Sequence, residues 1–364
     1  MGEAAAQIKR MKTELAEAPP HLTEDNHREI LVRLPAKDVL HYGIFRELPF
    51  NNGWATDIAL EALHASGDNA SRRRLIRYPN TTRSWLLLAA SDGVLLFRKD
   101  EGWYFLCNPM TKMWADLPRL CHGPLQYSTV DDKEYAFYFH LPSNQYRLLC
   151  RRDSSTNGTW CILSTGEATP CDIDTEAAEA AGITELIPCL RTVVTTPVAL
   201  HSCLHWPPQK GAVTNQTSVV VFDMLSETFT KMAGPSTATD TLMKLFHMDG
   251  LLVGADFVKE QHIDLWFLES YGSDASWKLR HRVTMPGRAY NMVPNMSLLS
   301  MAAVADHEGN VMLGNKYGLI VYNVRRKTMK TIDSVATPNN YVVVSRHMFS
   351  ANLVQHPHFG TQTS

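Results

Sequence analysis

The chain has 364 residues, of which 45% are hydrophobic and 20% charged, and its formal net charge is -2. A chain of that size and composition can bury a sizeable core in one large domain or in two or three ordinary ones. Its balanced charge argues against nucleic acid or an anionic membrane as partner, and no apolar run reaches the roughly 20 residues a membrane-spanning helix needs.

Residues 1–19 are polar and rich in Ala, Lys and Glu, with no apolar stretch of the kind a secretory signal requires, and are expected to form a flexible tail. Ala6 stands where a myristoylation pattern wants Ser or Thr. The seven cysteines are scattered without a Cys-x-x-Cys pair, so they read as reduced, buried thiols of a cytoplasmic and/or nuclear protein.

Residues 20–50 have a helical texture. Thr23 suits an N-cap, and Glu24 and Asp25 follow in the first turn, where the helix dipole favours negative charge. Ile30, Leu31 and Leu34 share one helical face, and Pro35 ends the helix because it lacks an N–H donor. A second short helix is expected from Ala36, turning Val39, Leu40, Ile44 and Phe45 inward. Helices this short cannot bury their own apolar faces and need a partner.

The string Ile30-Leu31-Val32-Arg33-Leu34-Pro35-Ala36-Lys37-Asp38-Val39-Leu40, with Leu22 upstream, resembles the first two-thirds of an F-box. The resemblance implies docking on the adaptor subunit of an SCF (cullin–RING) ubiquitin ligase through Leu22, Ile30, Leu31, Leu34, Pro35, Val39 and Leu40. The sequence departs from the family at Thr23, at Asn26-His27, and at the end, where Glu47 and Pro49 replace a basic residue and a Trp.

Residues 51–84 read as a helical linker, loosely helical from Ile58 to His64, with Arg72-Arg73-Arg74 and Arg77 on a solvated loop. From 85 to 354 the texture changes to short β-branched and aromatic runs between Gly, Pro, Asn and Asp clusters, the pattern of many antiparallel strands. A cadence recurs in Ser91-Asp92-Gly93-Val94-Leu95-Leu96, Cys107-Asn108-Pro109-Met110-Thr111, Val221-Phe222-Asp223-Met224 and Gly318-Leu319-Ile320-Val321-Tyr322-Asn323. Each unit is a strand, a turn, a strand ending in Asp or Asn, a polar turn and a third strand. At a spacing of about 40–50 residues the body holds about six such units, and radial stacking buries both faces of each. A pair of β-sandwiches is the other architecture this pattern allows. Residues 355–364 are expected to be a second flexible tail.

These phrases, with Leu265-Trp266-Phe267-Leu268-Glu269 and Trp277, resemble the F-box-associated, kelch-like domains of plant F-box proteins from Leu86 to about Ile332. The fold expected is therefore mainly β: an irregular kelch-like β-propeller of about six blades, preceded by a small α-helical F-box-like segment.

Signatures of catalysis are weak. The chain lacks His-Glu-x-x-His, Gly-x-Ser-x-Gly, P-loop and Rossmann fingerprints. His201, Cys203 and His205 would share a face if residues 199–206 were extended, yet three ligands on one strand converge poorly and a Zn²⁺ site needs a fourth. Asp131-Asp132 and Asp172-x-Asp174 sit in solvated turns, and the Ala/Glu-rich stretch Asp172 to Leu186 is a helix-leaning insertion. Trp103, Trp160, Trp206 and Tyr290 are candidates for a recognition surface, since aromatic residues anchor interfaces. No cofactor and no catalytic or metal site is expected. The reading is a non-catalytic receptor holding an unidentified target protein near the ligase, which it reaches through the adaptor and cullin. A scaffold with a degenerate F-box and no ligase role stands beside it, as does a propeller enzyme with its site in a central channel.

Overall fold

Both faces of most middle strands here are apolar, as in Val219-Val220-Val221-Phe222, so each sheet needs a neighbour on either side. A computed structural model describes residues 46–47, 57–62, 73–79, 86–100, 103–119, 136–151, 160–173, 197–210, 217–236, 243–257, 262–272, 275–284, 302–305, 308–315, 318–332, 343–344, 353 and 355–361. Contacts divide the chain into Met1–Asp38 and Val39–Ser364, and all the described residues belong to the second unit.

Among the described residues, five antiparallel sheets of four or five strands follow one another, besides two separate strand pairs. Sheet I is Leu86–Ser91, Val94–Asp100, Trp103–Asn108 and Met113–Asp116; sheet II is Ala136–His140, Gln145–Arg151, Trp160–Ser164 and Cys171–Asp172. Sheet III is Val198–Leu200, Cys203–His205 with its continuation Gln209–Lys210, Thr217–Asp223 and Thr228–Ala233. Pro207-Pro208 interrupts its second strand, because proline supplies no donor to the ladder. Sheet IV is Met243–Met248, Leu251–Asp256, His262–Ser270 and Ser276–Thr284; sheet V is Ala302–Ala305, Asn310–Asn315, Gly318–Asn323 and Thr328–Ile332.

Alternation along the strands builds the core between sheets. Leu148 faces sheet I, where it meets Leu96 and Leu106, while Leu149 faces sheet III and meets Leu204 and Phe222. Val219 and Val221 turn to sheet IV and its Met243 and Leu252, while Val220 and Phe222 turn back to sheet II. Val253 and Leu265 of sheet IV pack on Val311, Leu313 and Ile320 of sheet V. Sheets I to V are thus stacked in chain order with an apolar layer between each pair, as the expected repeat-built, mainly β body requires.

Two kinds of turn produce the cadence of the sequence. The first and second strands of sheets I, III and IV are joined by two-residue loops with positive φ at both positions: Asp92-Gly93, His201-Ser202 and Asp249-Gly250. Such type I′ turns match the right-handed twist of the flanking strands. The third and fourth strands of sheets I, III and V are joined by a four-residue turn that follows Asn108, Asp223 or Asn323. Asp223 Oδ1 accepts hydrogen bonds from the N–H groups of Leu225 (2.8 Å) and Ser226 (2.9 Å). Asn323 Oδ1 does the same for Arg325 (3.1 Å) and Arg326 (2.8 Å), and Asn108 Oδ1 for Met110 (3.0 Å) and Thr111 (3.3 Å). Each turn closes on a left-handed residue, Lys112, Glu227 or Lys327. The Asp or Asn ending the strand is therefore the acceptor for turn amides that would otherwise lack one.

Three expectations need correction. The helical linker over 51–84 contains instead a strand pair, Asp57–Ala62 with Arg73–Pro79, because Ile58 and Leu60 suit a period of two as well as a helix and cross-strand pairing decides. Part of the arginine run, Arg73, Arg74 and Arg77, lies in that second strand. The helical segment 20–50 includes a short strand, Arg46–Glu47, paired with Val343–Val344, and its other residues lie outside those described. The tail 355–364 is not free: Gly360–Thr361 adds a fifth strand to the edge of sheet I at Met113 and Trp114, and Phe359 is buried among Leu88, Leu106 and Tyr146.

Candidate interaction surface

In a four-stranded meander the turn between strands one and two and the turn between strands three and four lie at the same end. In sheet III they touch, the Met224 N–H donating to Ser202 O (2.9 Å). The same end joins neighbouring sheets, since each time the second turn of one sheet meets the first hairpin of the preceding one. Between sheets II and III, Tyr138 O–H donates to Glu227 (2.6 Å), and the Arg147 guanidinium forms an ion pair with the same carboxylate. Between III and IV, Tyr271 meets His205 at 2.6 Å; between IV and V, Arg325 donates to both carboxylate oxygens of Asp249 at 2.9 Å.

On this polar frame stand exposed apolar side chains. Leu141, in the first turn of sheet II, is 73% exposed; Leu225 and Tyr271, in the second turns of III and IV, are 51% and 46% exposed. Leu141 follows His140, whose ring is held by Ser143 Oγ at 2.7 Å and by the Leu225 backbone. Burial and then the Arg147 charge hold the His140 imidazole below its usual value. Leu225 sits in the turn that Asp223 caps, and the amide bonds, first that of Ser226, hold the Asp223 carboxyl below the usual carboxylate range. Solvated leucines on turns fixed by hydrogen bonds form a preorganised apolar rim, the kind of surface that anchors another protein at low ordering cost.

At the sheet III–IV joint, the His205 ring is wholly buried; Nδ1 bonds Val198 O (3.1 Å) and Nε2 bonds the Tyr271 hydroxyl. Cys203 lies against the same hydroxyl, and burial pushes both the Cys203 thiol and the Tyr271 phenol upward. His201 stands at the turn tip with its ring edge-on to Tyr271 at 5.8 Å. The alignment of His201, Cys203 and His205 on one strand face is thereby corrected: a type I′ turn takes His201 out of the strand, and both His205 nitrogens are engaged. Among the described residues there is no cluster of three metal-ligating side chains.

The other candidates separate by burial. Trp103 is 41% exposed with Arg119 stacked 3.8 Å above its ring, so it does present a surface. Trp160 and Trp206 are buried in the core between sheets II and III and are not recognition residues. Asp172 is exposed, but it lies in a two-residue edge strand paired with Cys161 rather than in the expected turn. Tyr290, Asp131-Asp132, Asp174 and the rest of the acidic insertion, and Leu22, Ile30, Leu31, Leu34, Pro35, Val39 and Leu40 all lie outside the described residues. Reading the sequence missed Leu141, Leu225 and Tyr271. A signal existed for Leu225, an apolar residue beside Ser226 and Glu227 in a turn between strands.

Solved structures that align over most of the chain share little detail with it. The N-terminal domain of Nup159 is 8% identical, with 83% of this chain and 76% of that one covered and a TM-score of 0.32. An uncharacterized protein of Listeria monocytogenes is 10% identical, with 81% and 84% covered and a TM-score of 0.37. A putative 6-phosphogluconolactonase of Bacteroides uniformis is 8% identical, with 84% and 98% covered and a TM-score of 0.36. No curated protein matches the sequence. Residues 63–356, by contrast, match the F-box associated beta propeller domain, which takes in all five sheets up to the buried His356. The chain belongs to the F-box associated beta propeller domain family.

Proposed function

We propose that this protein is the substrate-recognition subunit of an SCF-type ubiquitin ligase. The observation that carries the reading is the order of its parts: an F-box-like string from Leu22 to Leu40 precedes a propeller domain of the F-box associated family at 63–356. Leu22, Ile30, Leu31, Leu34, Pro35, Val39 and Leu40 dock on the adaptor and through it on cullin. The propeller holds a target protein on the rim carrying Leu141, Leu225 and Tyr271. The chain breaks and makes no bonds itself; it raises the effective concentration of the target beside the ligase. Five stacked sheets, and the separate strand pairs 46–47/343–344 and 57–62/73–79 whose strands Arg46–Glu47 and Asp57–Ala62 lie close together, support a reading of six blades.

The test is co-purification of the full chain with the adaptor subunit, wild type beside the Leu34→Asp, Pro35→Ala double variant. Adaptor retained by the wild type and lost from the variant is the expected outcome. Adaptor absent from both would leave the second reading, an interaction scaffold, which the departures at Thr23, Glu47 and Pro49 favour. Leu225→Asp is expected to lower target recovery from the wild-type level without shifting the thermal midpoint, since the side chain is solvated.

A further inference from the structure

The middle hairpin of sheet II carries a chemical feature that target recognition does not use. Gln145–Arg151 pairs with Trp160–Ser164, and in that register Cys150 stands directly opposite Cys161. Directly opposed residues of an antiparallel pair project from the same face. The two Sγ atoms are 3.6 Å apart, both thiols are wholly buried, and they face the apolar layer between sheets I and II beside Leu148, Leu163 and Phe137.

We propose that Cys150 and Cys161 are a modification site, a reversible cross-strand disulfide formed when the protein meets a peroxide. A disulfide needs sulfurs about 2.05 Å apart and β-carbons about 3.8 Å apart, whereas opposed antiparallel residues hold theirs at about 4.5–5.5 Å. The sulfurs are close enough to bond after a small approach of the strands, and the bond they form is strained. Strain raises the reduction potential, so a cellular thiol reverses this bond more readily than a structural staple. Arg151 opposite Trp160 is the last pair before residues 152–159, so the two cysteines lie one residue pair from the end of the ladder, where local opening of the hairpin is the route by which peroxide reaches them.

The steps balance. One thiolate attacks the O–O bond of hydrogen peroxide, leaving a sulfenic acid and hydroxide, which takes up the proton the thiol released. The partner sulfur then attacks the sulfenic sulfur; the S–S bond forms, the S–O bond breaks, and a second water leaves. Two thiols are oxidised and one peroxide becomes two waters. The product ties the two middle strands of sheet II together inside the layer that packs on sheet I.

The experiment treats the full-length Cys171→Ser protein, which lacks the exposed thiol of the sheet II edge, with hydrogen peroxide. Denaturation, alkylation, digestion and mass spectrometry follow. The expected result is a peptide pair linked through Cys150 and Cys161, two hydrogens lighter than the reduced pair and restored to alkylatable thiols by dithiothreitol. The oxidised protein is expected to melt above the reduced one, and Cys150→Ala to abolish that difference. Complete alkylation of both cysteines after peroxide, or their conversion to sulfinic and sulfonic acids without a link, overturns the proposal. The linkage is read with both cysteines in place, so it holds even where Cys150→Ala weakens the sheet.

Discussion

At Ser202 a side chain occupies a backbone conformation that glycine adopts without steric cost. Both residues of the His201-Ser202 turn have positive φ, +52° and +59°, whereas the equivalent turns of sheets I and IV end in Gly93 and Gly250. A non-glycine residue in the left-handed region costs about 1 kcal/mol, so Ser202→Gly is expected to stabilise the protein by somewhat less, raising the thermal midpoint by about 2 °C. An unchanged or lower midpoint in differential scanning calorimetry would mean the Ser202 side chain contributes contacts that offset the strain. A second residue-scale consequence concerns buried imidazoles. Burial holds His205 below its usual value, and burial followed by the neighbouring His358 does the same for His356, which packs against Tyr146 and Phe359. Well above a pH of about 6.5 neither folded nor unfolded chain protonates them and stability is flat. As pH falls below that value the unfolded chain binds protons that the folded one refuses, and stability drops toward the folded pKa by up to about 1.4 kcal/mol per pH unit for each proton withheld. Urea midpoints between pH 7.5 and 5.5 measure this, and a profile flat throughout would refute it.

Single turns are the elements in which the repeat is written. The Asp223 carboxylate accepts two backbone amides, and Asp223→Ala leaves both without it, an expected loss of about 1–2 kcal/mol in urea denaturation. Arg325→Ala removes a solvated ion pair, in which one guanidinium nitrogen is shared by both oxygens of Asp249, and is expected to cost about 0.5 kcal/mol or less. If the two variants prove equally destabilising, local capping is not what holds these turns. The contrast also explains which turns were legible. Asn108, Asp223 and Asn323 can be read from the sequence because their function is local, each residue serving amides two and three positions on. The strand Asp57–Ala62 could not be read, because six residues with apolar side chains at alternate positions also fit a helix and only the distant Arg73–Pro79 distinguishes the two.

For the whole molecule, the decisive segment is the one expected to be a tail. Gly360–Thr361 completes the edge of sheet I, Phe359 enters the layer between sheets I and II, and His358 occupies the space a side chain at Gly166 would need. Phe359→Ala is expected to cost about 3 kcal/mol, and deletion of residues 355–364 at least as much, because an edge strand is then exposed as well. Chemical denaturation of both variants tests this; wild-type stability in the deletion would show that the C-terminal strand adds nothing to sheet I. The sequence by itself determined the mainly β character, the recurring Asp/Asn turn and the F-box-like string, since all three depend on side-chain alternation or on contacts within a few residues. Only the tertiary structure decided that residues 57–79 pair as strands, that the C-terminus closes on sheet I, that Trp160 and Trp206 are core, and that Leu141, Leu225 and Tyr271 share one rim. Each of those facts is a pairing between residues tens or hundreds of positions apart, which composition and periodicity do not encode.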